Sequence, residues 1–198
     1  MSPLSRRDLL QRSASLALAA ACLRAAPSLA DSPSGRNVAE LTGLGVSLGD
    51  EGVLLSYSVR LELARDLEQM LLRGVTLVFV AEAELLRERW YWFDQGQGLI
   101  VRRWRLGWQP LTRRWKLSQE GLSRHFVTLQ DALDAMRRAT RWRVADPIAP
   151  GDESEHLLAF RFRLDADELP RPLQIGLGPQ SGWDLSIERR IRLSAGMR

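Results

Sequence analysis

A single cysteine, Cys22, excludes any disulfide within the chain, and in an oxidising compartment it leaves no second thiol to mispair with. Histidine is scarce as well. His125 and His156 are the only two; neither has a cysteine beside it or an HExxH-like spacing, so a zinc site would have to borrow scattered carboxylates. No serine stands in a G-x-S-x-G setting. Gly96-x-Gly98 lacks a third glycine and leads into a strand pattern rather than a helix, so it is no phosphate cradle. The apolar run near the start is broken by Arg24 and Pro27, short of the roughly 20 residues a spanning helix needs. Lysine is reduced to Lys116. These gaps leave no reaction class in view and no cofactor or metal to expect.

What is present begins with an address. Ser5-Arg6-Arg7-Asp8-Leu9-Leu10-Gln11 precedes a small-residue apolar run, Ser13 to Ala21, and Ser28-Leu29-Ala30 then precedes Asp31. A basic start, a short apolar middle and small residues at −3 and −1 of a cut describe an export signal. Its paired arginines resemble the twin-arginine type. The expected signal is therefore 1–30, with cleavage after Ala30 and release into the periplasm. Ala19-Ala20-Ala21-Cys22 also resembles a lipoprotein box, so lipidation of Cys22, giving a membrane-anchored lipoprotein with peripheral membrane association, is the second expectation.

Removing the signal changes the charge argument. Four of the 28 cations (Arg6, Arg7, Arg12, Arg24) and one of the 24 anions (Asp8) lie in 1–30, which turns a net +4 into +1. Residues 31–38 are expected to be a linker and 39–194 a single β-rich domain, long enough to bury most of its unfolded surface without a metal or disulfide.

The patterning is that of strands. Val46–Leu48 and Val53–Leu61 flank Gly49-Asp50-Glu51-Gly52, a hairpin signature, with Leu55, Tyr57, Val59 and Leu61 on one face. Leu63, Leu67, Met70 and Leu71 form a helical stripe closed by Gly74. Val75 to about Trp92 reads as one long strand, whose length predicts a bend or a crossing between two sheets. Leu99–Leu106, Arg113–Ser118 and Leu122–Val127 continue as a meander. Thr128 then caps a helix carrying Leu129, Ala132, Leu133 and Met136, with Arg137 and Arg138 in its last turn and its end near Thr140. Leu157–Leu164 and Trp183–Leu193 supply further strands. The expected fold is mainly β or α+β, an antiparallel sandwich-like meander with two short helices.

Two groups of residues invite a chemical reading. Glu82 and Glu84 share a strand face, with Glu88 and Asp94 further on. They would serve a hydrolase or lyase acting on cell-wall or lipid material, or they pair with Arg102, Arg103 or Arg105 on the neighbouring strand. The second group interleaves arginine with tryptophan: Arg89, Trp90, Trp92, Arg102, Arg103, Trp104, Arg105, Trp108, Arg113, Arg114 and Trp115. Such residues are favoured interface anchors, but they also serve as core packing with guanidiniums stacked on indoles. Export argues against nucleic acid. An envelope protein or an anionic envelope component is the expected partner. Replacing Arg102, Arg103 and Arg105 by Glu should then abolish binding and leave the fold intact.

Arg73-Gly74-Val75-Thr76-Leu77-Val78-Phe79, Arg87-Glu88-Arg89-Trp90-Tyr91-Trp92, Leu106–Trp115, Gly121-Leu122 to Ala132-Leu133, and Leu169–Leu173 before Trp183-Asp184-Leu185 together resemble the family called domain of unknown function 4390. The resemblance spans nearly all of 31–198. It implies an exported single domain of proteobacteria and supplies no activity. Members of that family often lie near a sensor histidine kinase, so the resemblance implies an envelope-signalling setting. The combined expectation is a non-catalytic binding module of the envelope.

Overall fold

The computed structural model describes residues 37–87, 95–149, 152, 154–169 and 185–193. The chain folds into two antiparallel sheets with two short helices. Strands β1 (Val38–Gly49) and β2 (Gly52–Glu62) form the expected hairpin. Its turn ends at Gly52, which has φ +115°, and a side chain there would run into the carbonyl of Ala145. Only glycine fits both conditions. Helix α1 (Arg65–Leu72) follows, with Leu67, Met70 and Leu71 buried and Gly74 at φ +91° just past its end.

Strands β3 (Leu77–Arg87), β4 (Gln95–Gln109), β5 (Arg114–Gln119) and β6 (Leu122–Phe126) run as a meander. Helix α2 (Leu129–Asp134) leads into β7 (Arg138–Ala145), then β8 (His156–Leu164), a short 3-10 turn (Ala166–Glu168) and β9 (Ser186–Leu193). One sheet has the order β1-β2-β7 and the other β6-β5-β4-β3-β8-β9. The fold is thus mainly β, as expected.

Three expectations need correction. β3 does not cross between sheets; it stays at the centre of the six-stranded sheet, paired to β4 and β8 along its length. β4 is longer than the expected Leu99–Leu106 because Gln95 and Gly96 already pair with Arg87 and Leu86. Helix α2 stops at Asp134, well short of Thr140. The carbonyl of Met136 accepts from the Tyr57 hydroxyl at 3.3 Å and that of Arg137 from the Val59 N–H at 2.9 Å. Sheet pairing claims the chain that the helical stripe would otherwise have continued through.

The core lies between the sheets. From β2 come Leu55, Tyr57, Val59 and Leu61, and from β7 come Trp142 and Val144. The six-stranded sheet contributes Phe79, Ala81, Trp104, Leu106, Phe160 and Phe162. Tyr57 is the junction: its ring centroid is 4.8 Å from that of Phe160 and 6.3 Å from that of Trp142. Burial raises the Tyr57 hydroxyl pKa well above its usual value, so it remains a neutral donor. Each such aromatic pair contributes about 0.5–1.5 kcal/mol beyond area burial.

No helix among the described residues is long and apolar enough to cross a membrane.

Candidate interaction surface on the six-stranded sheet

Strand alternation sorts the arginine–tryptophan group into two faces. On β4, Arg102 and Trp104 share parity with Leu106, whose side chain is fully buried, so they face the core side. Arg103 and Arg105 have the opposite parity and stand exposed on the outer face. The tryptophans are internal where they are described: Trp104 and Trp115 are buried and Trp108 is partly buried. Trp104 donates its indole N–H to Gln119 Oε1 at 2.9 Å. Trp108 and Trp115 face each other across β4 and β5 with centroids 4.9 Å apart. Arg102 lies over Trp142 of the other sheet, its guanidinium carbon 4.7 Å from the indole centroid. Arg89, Trp90, Trp92 and Asp94 fall outside the described residues, as does Glu88.

The expectation that Arg102, Arg103 and Arg105 form one surface is therefore corrected. A strand places neighbours on opposite faces, so Arg102 is an inter-sheet contact, and only Arg103 and Arg105 face outward.

The outer face is itself divided by charge. Across β3, β8 and β9 the side chains form a ladder. Asp165 binds Arg163 at 3.0 Å, Arg163 binds Glu82 at 3.1 Å, and Arg161 reaches Glu82 at 4.0 Å and Glu188 at 3.0 Å. Arg190 closes it on Glu188 at 3.1 Å. Hydrogen bonds from Arg161 and Arg190 hold the Glu188 pKa below the usual carboxylate range. For Arg163, burial alone would lower the pKa, but hydrogen bonds to Asp165 and Glu82 outweigh it and raise it.

Glu82 does not pair with Arg102, Arg103 or Arg105. Register explains this: Glu82 stands opposite Val101 on β4 and Arg161 on β8. Glu84 stands between Leu99 and Ala159 and makes no ion pair among the described residues.

Across β4, β5 and β6 the outer face carries cations alone. Arg103, Arg105, Arg114 and Lys116 share this face, with Ser118, Ser123 and His125 beside them in register. None of the four cations makes an ion pair among the described residues. Arg113, in the turn before β5, is likewise exposed and unpaired. Arg105 stands opposite Ser118, and Lys116 stands opposite Gly107 and His125, so no carboxylate is placed across from them. The sequence pattern named Arg114 but missed Lys116 and His125, although all alternate with buried Trp115 and Leu117 and with Phe126.

A second cluster also escaped the sequence reading. Arg87 donates to Ser154 Oγ and to Asp152 Oδ1, both at 2.9 Å, and the Ser154 N–H donates to the same Asp152 oxygen at 3.0 Å. Hydrogen bonds from Ser154, with Arg87 adding charge, hold the Asp152 pKa below its usual value. His156 is buried beside them, with Nδ1 3.0 Å from the Ser154 carbonyl and Nε2 3.7 Å from Asp152 Oδ2. The alternation Asp152, Ser154, His156 was the available signal. Among the described residues no group of three or more His, Cys, Asp or Glu is arranged to hold a metal.

The model for the family described as domain of unknown function (DUF4390) matches residues 36–193. The chain belongs to the DUF4390 family. The match covers both sheets, so the ion-pair ladder and the unpaired basic face are features of a DUF4390 domain rather than of an appended segment. No curated protein and no solved structure matches the chain.

Proposed function

We propose that this chain is a non-catalytic interaction module of the cell envelope, exported by its N-terminal segment. Its contact surface is the outer face of β4–β6, and its partner is an envelope protein that presents carboxylates. One observation carries the reading: on a single sheet face, the cations of β8 and β9 near Glu82 and Glu188 are paired, while Arg103, Arg105, Arg114 and Lys116 have no ion partner among the described residues. Unpaired like charges on adjacent strands disfavour the free fold slightly, and an acidic surface relieves that cost. Such complementarity favours fast and selective encounter more than raw affinity. A sensor kinase of the envelope is the class of partner that the family resemblance points to.

The test is charge reversal on this face alone. Arg103→Glu with Arg105→Glu should abolish co-purification of the partner and leave the thermal melt unchanged. Retained binding in the double variant would remove the basic face from the account.

A further inference from the structure

At one end of the basic face the β4–β5 hairpin turns through Pro110–Arg113, and Leu111 at its apex is fully exposed. A large aliphatic side chain wholly in water is a cost that a turn has no structural need to bear. Val127 is 68% exposed and follows Phe126, which pairs with Trp115, so it comes level with Arg114 and the same end of the sheet. Beside these two apolar residues stand Arg113 and Arg114, neither with an ion pair among the described residues. Arg124 stands opposite Leu117 and lies over Phe126, 5.1 Å from its centroid, so it belongs to the other face and not to this tip. The neighbouring carboxylate, Asp131, is engaged by Thr128 Oγ1 at 2.6 Å and does not answer these cations. Behind the apex, Trp108 and Trp115 give the hairpin a paired-indole base.

We infer that this hairpin tip is a lipid-contact device: Leu111 and Val127 enter the headgroup boundary of an anionic bilayer, and Arg113 and Arg114 meet its phosphates. An apolar tip beside a pair of cations is the composition that binds such a surface by both terms together. A protein partner of acidic chemistry would engage the cations but would leave an aliphatic apex in water unless it also offered a pocket. A bilayer satisfies both requirements without one. The tip shares Arg114 with the basic face but uses neither Arg103, Arg105 nor Lys116, so it does not rest on the function proposed above. It would seat the module beside the membrane with Arg103, Arg105 and Lys116 free.

Co-sedimentation of the purified protein with phosphatidylcholine vesicles, with and without phosphatidylglycerol, tests the inference. Binding is expected only to the phosphatidylglycerol vesicles and should weaken as salt is raised. Leu111→Asp should reduce it by about tenfold or more, since insertion is lost and a like charge added. Arg113→Glu with Arg114→Glu should do the same. Leu122→Asp, at an exposed leucine by the β5–β6 turn at the other end, should leave it unchanged. All these side chains are exposed, so the thermal melts should coincide. Absence of binding to phosphatidylglycerol vesicles, binding unaffected by Leu111→Asp, or equal loss in Leu122→Asp would overturn it. So would capture of a soluble acidic protein by the tip with no vesicle association.

Discussion

Arg102 of one sheet lies over Trp142 of the other, with 4.7 Å between guanidinium carbon and indole centroid. This contact ties the β4 arginine cluster to the core rather than to a partner, and it separates Arg102 from Arg103 and Arg105 in every experiment that follows.

Arg102→Glu should therefore destabilise the fold, while Arg103→Glu should not. The lost cation–π contact is worth about 0.5–2 kcal/mol, and a carboxylate against an indole face adds to the loss. Urea midpoints of the two single variants decide the matter. Equal midpoints would place Arg102 on the surface with its neighbours.

Glu82→Gln should lower stability by about 1 kcal/mol, because one carboxylate serves both Arg161 and Arg163 and its loss leaves two guanidiniums side by side. Reversing the pairing with Arg163→Glu and Glu82→Arg should recover part of the loss. Chemical denaturation of the three proteins reads this directly. A Glu82→Gln variant as stable as the parent would show the ladder to be energetically idle.

Acid should unfold this protein through Asp152 and Glu188. Both have folded pKa values below their usual ones: hydrogen bonds from Ser154 act on Asp152, and those from Arg161 and Arg190 act on Glu188. A depressed carboxylate contributes stability that is fully present above its ordinary value, near about 4, and lost as pH falls through the folded value. Urea midpoints should stay level from neutrality down to about pH 5 and then decline. Asp152→Asn with Glu188→Gln should flatten that decline. An unchanged acid slope would assign it to other carboxylates.

Much of this fold was legible in strand alternation. Leu55, Tyr57, Val59 and Leu61 on β2 are buried as their spacing requires, Gly49–Gly52 turns the hairpin, and Gly74 has the positive φ expected of a helix cap. Thr128 caps α2 through the Asp131 N–H, as the local sequence indicated. The failures are non-local. Nothing near Met136 or Arg137 reveals that β2 will capture their carbonyls, and nothing near Glu82 reveals that β8, rather than β4, brings its cations. The departure of β7 to the other sheet is of the same kind. The misplacement of Arg102 differs, since its parity with Trp104 and Leu106 was already present in the sequence. Grouping by composition hid it.

Lys116 offers the most direct test of the proposed function, because the only lysine of the chain stands within the basic face. An amine-reactive crosslinker applied in cells reports on that face almost alone. The account predicts one recurrent envelope protein joined through Lys116, absent in Arg103→Glu/Arg105→Glu and in Lys116→Arg. Crosslinks through Lys116 that persist unchanged in the Arg103→Glu/Arg105→Glu variant, or no protein joined to Lys116, would contradict it.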